Sequence, residues 1–540
     1  MFNEYPRPQM ARAPWWNLCG LWDYAVTASV KPPQSWDGQI EVPFSPEAPA
    51  SGVGRQVEPG QFLWYRRDVS FRGYAGRVLL HFGAVDQRAV VWCNGVEVGH
   101  HVGGYTPFTL DITDALDENR AGELTVAVQD GSDGSPLAHG KQTLRRGGIW
   151  YTPQSGIWQP VWAEVVPEEH IQSLRITPDF DGAAVLIEAE PGGTVHFQGE
   201  EYECPARVPV PDFIPWTPEN PHLYAFEVTL GEDRVSSYFA MRKFSVEDGR
   251  LCLNNEPRFH NGVLDQGYDP EGLYTYPSDE AMIRDIRLAK DLGFNTLRKH
   301  VKIEPLRWYY HCDRLGMLVW QDMPNGGVNY RDRVITWPAV GIGTGLRDDQ
   351  YARFGRRDAL GRKQFEAELD EMITALYNCP CIAMWVPFNE GWGQFDAARI
   401  RDHIKALDPT RTVDHASGWH DQGGGETQSL HVYFRKYRHK ADGEGRAVLL
   451  SEFGGYNLGV KGHMWGKKNF GYNRCKSPAA LEKKLRRLYQ KEIAPAKKAG
   501  LAAAIYTQLT DVEDELNGFV TYDRQQVKLP PERVKEIVSV

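Results

Sequence analysis

At 540 residues the chain exceeds what one hydrophobic core ordinarily holds, so roughly two to four domains are expected. A composition of 41% apolar and 24% charged residues with a formal net charge of −10 describes a folded globular protein with a mildly acidic surface, which excludes nucleic-acid or anionic-lipid binding through overall positive charge. No run is long enough to cross a bilayer, no basic and apolar leader follows Met1, and neither the eight cysteines nor the sixteen histidines fall into metal-ligand or dense disulfide spacings. The expectations are a cytoplasmic protein if Met1 is its natural start, free thiols that are mostly buried, and no metal or other cofactor.

From 15 to 166, short alternating runs (62–71, 77–82, 89–94, 123–129) are separated by Gly, Asp and Pro, the pattern of an antiparallel sandwich. Asn94-Gly95 lies between two such runs and predicts a type I′ hairpin, because both central residues of that turn need positive φ. A smaller set of strands from 168 to 245 suits one immunoglobulin-like sandwich. After Gly249 the period shifts from two toward 3.6, and strands alternate with amphipathic helices. Eight candidate strands (258–264, 295–300, 318–322, 382–388, 412–416, 429–434, 447–451, 502–508) and helices at 278–292, 305–315, 365–377 and 479–498 predict a closed (β/α)8 barrel. Ser278 can cap the first of these helices, whereas the helical pattern is weak between the fifth and sixth strands and after the sixth. The expected fold class is therefore multidomain: an N-terminal jelly-roll β-sandwich (1–166), an immunoglobulin-like β-sandwich (167–246) and a C-terminal TIM barrel (247–540).

Two motifs carry chemistry. In Trp385-Val386-Pro387-Phe388-Asn389-Glu390-Gly391 and in Leu449-Leu450-Ser451-Glu452-Phe453-Gly454, an apolar strand stops at a glutamate and breaks into glycine, as barrel strands do when they deliver side chains to the active face. Strand-end carboxylates also serve in plain ion pairs. A pair of them, with Asn389 directly before Glu390, fits glycosidic bond cleavage: one protonated carboxyl donates to the leaving oxygen while the other attacks the anomeric carbon. Such a retaining pair should lie about 5 to 5.5 Å apart. The 17 Trp, 24 Tyr and 22 Phe suit stacking on sugars, and they suit sandwich cores equally well.

Further markers run along the chain: Tyr5-Pro6-Arg7-Pro8-Gln9 and Trp22-Asp23, Val91-Trp92-Cys93-Asn94-Gly95, Gly103-Gly104-Tyr105-Thr106-Pro107-Phe108, Ser155-Gly156-Ile157-Trp158, and Trp216-Thr217-Pro218-Glu219-Asn220-Pro221. With Asn389-Glu390 and Ser451-Glu452 they resemble, in order and over nearly the whole chain, glycoside hydrolase family 2, which contains β-galactosidases, β-glucuronidases and β-mannosidases. The resemblance implies that Glu390 is the general acid/base and Glu452 the nucleophile, that Asn389 holds the substrate's 2-hydroxyl, that Arg298 lies beside the nucleophile and that Tyr433 hydrogen-bonds it. Further pocket candidates at strand ends are Asp265, Gln266, Asp322, His415, Trp419, His431, Trp392 and Asp511.

The chain departs from the family pattern in several places. The Arg-x-Ser-His-Tyr-Pro run reads Arg298-Lys299-His300-Val301-Lys302-Ile303, so the family histidine does not transfer; the eighth strand ends in Tyr506-Thr507-Gln508 without the usual Trp. The Asn-x-Lys-Gly pattern by which β-glucuronidases hold a carboxylate is absent from Glu515-Leu516-Asn517-Gly518, and the metal-binding sequence of some β-galactosidases has no counterpart after Asp322. A retaining exo-β-glycosidase acting on a carbohydrate substrate is expected, β-galactosidase-type by default. The alternatives are β-glucuronidase or arabinosidase-type activity, or a carbohydrate-binding protein without catalysis. Two long loops (325–360 and 454–477) carry Trp337, Trp465 and many cations, which either form a basic rim suited to acidic or sulfated glycans or simply face water. Linkage and oligomeric state, including a homo-oligomer, stay open.

Overall fold

The computed structural model describes residues 3–539. Its first part is two antiparallel sheets face to face. The larger runs Gly38–Val42, Gly20–Thr27, Phe62–Ser70, Ala121–Gln129, Arg88–Cys93, Val96–Val102, and the smaller Trp15–Asn17, Val161–Val166, Arg77–Phe82, Phe108–Asp111. Inward residues of both sheets, among them Leu63, Tyr65, Val91, Val126, Leu80 and Phe82, form one buried core. Asn94 and Gly95 turn the predicted hairpin with φ of 51° and 78°. Next come a three-stranded sheet (Ser173–Asp179, Ala184–Glu190, Ala206–Pro209) and a four-stranded one (Glu200–Glu203, Thr194–Phe197, Tyr224–Leu230, Asp233–Phe239), packed through Ile176, Val185, Ile187, Val195 and Val228.

The remainder is an eight-stranded parallel sheet. Its strands are β1 (His260–Asp265), β2 (Thr296–Lys299), β3 (Leu318–Asp322), β4 (Ile382–Val386), β5 (Thr412–Val413), β6 (Thr427–Val432), β7 (Ala447–Gly454) and β8 (Ala503–Thr507), hydrogen-bonded in the order 5-4-3-2-1-8-7-6. The curl is nearly complete. Only the seam between β5 and β6 lacks a ladder, and side chains bridge it: Thr427 Oγ1 donates to the Val413 carbonyl (3.2 Å), and Ser429 Oγ to Asp414 Oδ2 (2.7 Å). Leu264, Trp320, Met384, Val386, Leu449 and Ile505 fill the interior, while Leu297, Trp385, Leu450 and Ala504 face the surrounding helices.

Those helices are α1 (Asp279–Asp291), α2 (Leu306–Leu315), α3 (Ala359–Leu376), α4 (Ala397–Leu407), α5 (Pro478–Leu488) and α6 (Pro531–Val538). Ser278 caps α1 by accepting from the Ala281 N–H. Helix α3 starts earlier than its periodicity suggests, because the Asp358 carboxylate accepts from the N–H groups of Leu360 and Gly361 and fixes the first turn there. Helix α4 was not expected. Its buried Ala397, Ile400 and Ile404 do follow helical spacing, but the glycine-rich run before it masks the start. Among the described residues no helix joins β5 to β6 or β6 to β7, in keeping with the weak helical pattern there. No helix among them is long and apolar enough to cross a membrane. All eight cysteines are free, six of them buried.

Candidate active site

Barrel strands alternate their side chains between lumen and helices, so parity decides which strand-end residues meet. On β2, Arg298 points into the lumen and Lys299 away from it. Arg298 is the hub: its Nε donates to Asp322 Oδ1 (3.0 Å), one terminal nitrogen to Glu452 Oε1 (3.2 Å) and the Ser451 carbonyl (3.2 Å), and the other to Asn389 Oδ1 (2.8 Å). These carboxylates hold the guanidinium firmly protonated despite its burial.

Glu452 reaches this hub through a β-bulge. Ala447 and Leu449 face the lumen, so an unbroken strand would send residue 452 toward the helices; instead Ser451 is inserted between the pairs Leu430–Leu450 and His431–Glu452. Both Ser451 and Glu452 then serve the lumen, the re-aiming that bulges provide beside active sites. Ser451 Oγ bonds Ser429 Oγ (2.6 Å) and Ser417 Oγ (3.1 Å), and Glu452 accepts from Tyr433, whose hydroxyl also lies 3.1 Å from Thr507 Oγ1. Glu390 is delivered differently. Its backbone takes a left-handed φ of 52°, unusual for a residue with a side chain, and is held there by its N–H bond to the Ser417 carbonyl (2.9 Å).

His431 joins the two carboxylates, with Nδ1 2.7 Å from Glu390 Oε1 and 3.6 Å from Glu452 Oε2. One oxygen of each glutamate and a ring nitrogen of His431 all lie within 4.8 Å of one another. This donor set could hold a cation, but Arg298 already supplies positive charge against Glu452. Both glutamates are almost fully buried. Burial foremost, and the charge of Glu452 after it, raise the pKa of Glu390 against the bond from His431. Burial also acts to raise Glu452, but His431 and then Arg298 outweigh it and hold that carboxyl below its usual range. Two neighbouring carboxyl groups are thus pushed in opposite directions, which is how one site keeps an acid and an anion together.

The structure therefore brings Glu390, Glu452, Asn389, Arg298, Tyr433 and His431 into one cluster. Trp392 lies at its edge, its ring centre 6.0 Å from that of His300. Asp265 and His415 point elsewhere. Asp265 stands opposite Lys299 in the β1–β2 ladder and shares its outward parity, so its carboxylate goes to Lys299 Nζ (2.7 Å) and the Gly267 N–H (2.9 Å). His415 faces Asp421 at 3.4 Å, behind β5. Asp511 is likewise taken up by Lys528 (2.6 Å).

The departure at 298–303 leaves His300 without a role in the sequence, yet it stands two residues past Arg298 on the same face, and its Nδ1 lies 2.7 Å from Asp322 Oδ2. Period two was the available signal. Lys141, Trp150 and Tyr472 were missed as well. Tyr472 stacks on Tyr433 with ring centres 4.0 Å apart, and Trp150 lies 5.4 Å from Trp392. Several buried donors of this region have no protein partner, namely Asn389 Nδ2, Trp392 Nε1 and Trp419 Nε1, and His300 Nε2 is also unpartnered. For Asn389 the orientation is forced: Arg298 can only donate, so Oδ1 faces the guanidinium and the NH2 is left free.

Comparison with known proteins places this geometry. The family model "Glycosyl hydrolases family 2, TIM barrel domain" matches residues 244–450, and "Glycosyl hydrolases family 2, sugar binding domain" matches 57–161. The chain belongs to glycosyl hydrolase family 2. Within the family it is 27% identical over 379 residues to a β-galactosidase of Photobacterium profundum, covering 62% of this chain and 34% of that one. It is 23% identical over 477 residues to a β-glucuronidase of Canis lupus familiaris, covering 76% and 69%. The chain spans between 34% and 42% of the length of the first four curated relatives it matches. Among solved structures, a β-D-glucuronidase of Dictyoglomus thermophilum superposes with a TM-score of 0.77 at 17% identity, covering 100% of this chain and 99% of that one. A family 2 β-galacturonidase of Eisenbergiella tayi superposes with a TM-score of 0.74 at 20% identity, covering 100% and 98%. At these identities the likeness is one of fold.

Proposed function

We propose that this family 2 member is a retaining exo-β-glycosidase. Glu452 attacks the anomeric carbon, Glu390 protonates the leaving oxygen, and water, activated by Glu390 in turn, releases the sugar from the glycosyl-enzyme. The observation that carries the reading is the pair itself: oxygens within 4.8 Å, with Glu390 raised and Glu452 lowered in pKa. A nearest approach of the two carboxyl groups within 4.8 Å is compatible with direct attack by one of them. Arg298 and Tyr433 keep Glu452 ionised and aimed. The free Asn389 NH2 is suited to donate to a 2-hydroxyl, a bond that strengthens as positive charge develops on the ring. The near-complete burial of both glutamates suits removal of terminal sugars.

The relatives' names include β-galactosidases and β-glucuronidases, so both sugars belong in the first assay. The test is a panel of nitrophenyl β-glycosides with the wild type and Glu452→Ala. The expected outcome is turnover of at least one by the wild type and none by the variant, with azide restoring some activity to give a product of inverted configuration. Wild-type rates in Glu452→Ala would remove Glu452 from the mechanism.

A further inference from the structure

Four lysines are buried among the described residues: Lys141, Lys299, Lys302 and Lys528. Three are paired in the ordinary way. Lys299 bonds Asp265 and Glu304 (both 2.7 Å), Lys302 bonds Glu304 (2.8 Å) and two carbonyls, and Lys528 bonds Asp511 (2.6 Å). Lys141 is 5% exposed, and its ammonium has neither a hydrogen bond nor an ion pair within the described residues. Closing a pocket over such an ammonium without bringing it a counter-charge is costly.

Its position is built. Lys141 belongs to the first sandwich's long loop, whose tip enters the barrel mouth: the N–H groups of His139 and Gly140 donate to the Asn325 carbonyl after β3 (2.9 and 3.0 Å), and the Lys141 carbonyl accepts from the Tyr151 N–H (2.9 Å). Gly140, at φ 61°, has no room for a side chain, since a Cβ would meet Tyr274 Oη at 2.9 Å and the Val301 carbonyl at 3.0 Å. The tip thus presses against the loop after β2. Lys141 Nζ lies 5.4 Å from the ring centre of Trp392 and 5.8 Å from that of Tyr151, and its charge is felt by Glu390, Glu452 and His300. It therefore stands at the edge of the site, against the Trp392 ring whose Nε1 is unpartnered and which itself lies 6.0 Å from the ring of His300, whose Nε2 is also unpartnered. Neither glutamate takes it as a partner, and Glu452 already has Arg298.

We propose that Lys141 recognises an anionic glycone, a sugar carrying a carboxylate or a sulfate ester, and selects it over the neutral sugar of the same configuration. This deepens, and rests on, the reading of the site as a retaining glycosidase. A neutral sugar that closed the pocket would expel water from the ammonium and leave it bare, whereas an anion completes the pair. The mouth supports the same charge preference. The loop 454–477, which carries Tyr472 onto Tyr433, holds Lys461, Lys467, Lys468, Arg474 and Lys476, all exposed, and no Asp or Glu, in a chain of net charge −10.

The test measures kcat/KM of the wild type, Lys141→Met and Lys141→Arg on nitrophenyl β-D-glucuronide, β-D-galacturonide, 6-sulfo-β-D-galactoside, β-D-glucoside and β-D-galactoside. The wild type should favour an anionic substrate over its neutral counterpart by about 100-fold or more, Lys141→Met should shrink that ratio by a similar factor, and Lys141→Arg should restore part of it. The uronide and sulfate arms identify the anion. Preference for the neutral sugar, or equal losses on both members of a pair in a variant whose Tm is unchanged, would overturn the proposal while leaving the glycosidase reading in place. Hydrolysis of none of the panel would instead count against the glycosidase reading itself.

Discussion

The two faces of β2 carry two buried charge clusters, one residue apart, and they are finished differently. On the outer face Lys299 and Lys302 share Asp265, Glu304 and backbone carbonyls, and every ammonium there has its acceptors. On the inner face Arg298 ties together Asp322, Asn389 and Glu452, yet Asn389 Nδ2 and His300 Nε2 are left open, and the Lys141 ammonium nearby has only aromatic rings against it. A cluster whose donors are all taken, with only the acceptor Glu304 Oε2 spare, holds the fold, and one that leaves donors open inside a walled mouth is waiting for a ligand. The contrast is sharper than burial alone, since both clusters are almost wholly out of water.

That contrast can be broken from either side. The largest effect is expected at Glu452→Gln, where loss of the nucleophile should reduce kcat by about 10⁴-fold or more while the unfolding midpoint stays near that of the wild type. Steady-state kinetics and a thermal scan of the same preparation check this. A collapse of stability would mean that the inner cluster is as structural as the outer one.

Glu390→Gln should divide substrates by leaving group: losses of about 10² to 10⁴ for alkyl glycosides, and far less for dinitrophenyl glycosides, whose departure needs little protonation. The wild-type kcat/KM should follow a bell. Turnover needs Glu452 ionised and Glu390 protonated, so the acidic limb falls below the usual carboxylate range and the basic limb above it, as the lowered and raised pKa values direct. In Glu390→Gln the basic limb should vanish and the acidic limb remain. Equal losses for both leaving groups would take the acid role away from Glu390.

On the outer face, Lys299→Met should leave the buried Asp265 carboxylate without its cation, with Glu304 kept by Lys302, and cost about 3 to 5 kcal/mol of stability. Denaturant titration measures this, and kcat per folded molecule should change only a few-fold. Asn389→Ala is the mildest of the set: a loss of about 10²-fold in kcat with little change in stability, because the amide's free donor serves the transition state. A 2-deoxy substrate should lose correspondingly little more in that variant. If it loses the full factor again, Asn389 does not hold the 2-hydroxyl.

The local sequence determined a good deal of this protein. Alternation with turn residues marks the sandwiches, the change of period after Gly249 marks the barrel, and apolar runs ending at Glu390 and Glu452 mark the carboxylates, because strand and helix periodicity and turn chemistry act over a few residues. Family resemblance added Arg298, Tyr433 and Asn389. The tertiary structure decided what periodicity leaves open, namely which way each parity faces. Ladder register turned Asp265 outward with Lys299, period two carried His300 inward with Arg298, and one bulged residue, Ser451, rescued Glu452 from the helix side. Lys141 left no trace near the motifs, since it reaches the site by folding of another domain's loop across more than two hundred residues of chain. Such a contact depends on docking of surfaces, and no local pattern in the sequence encodes it.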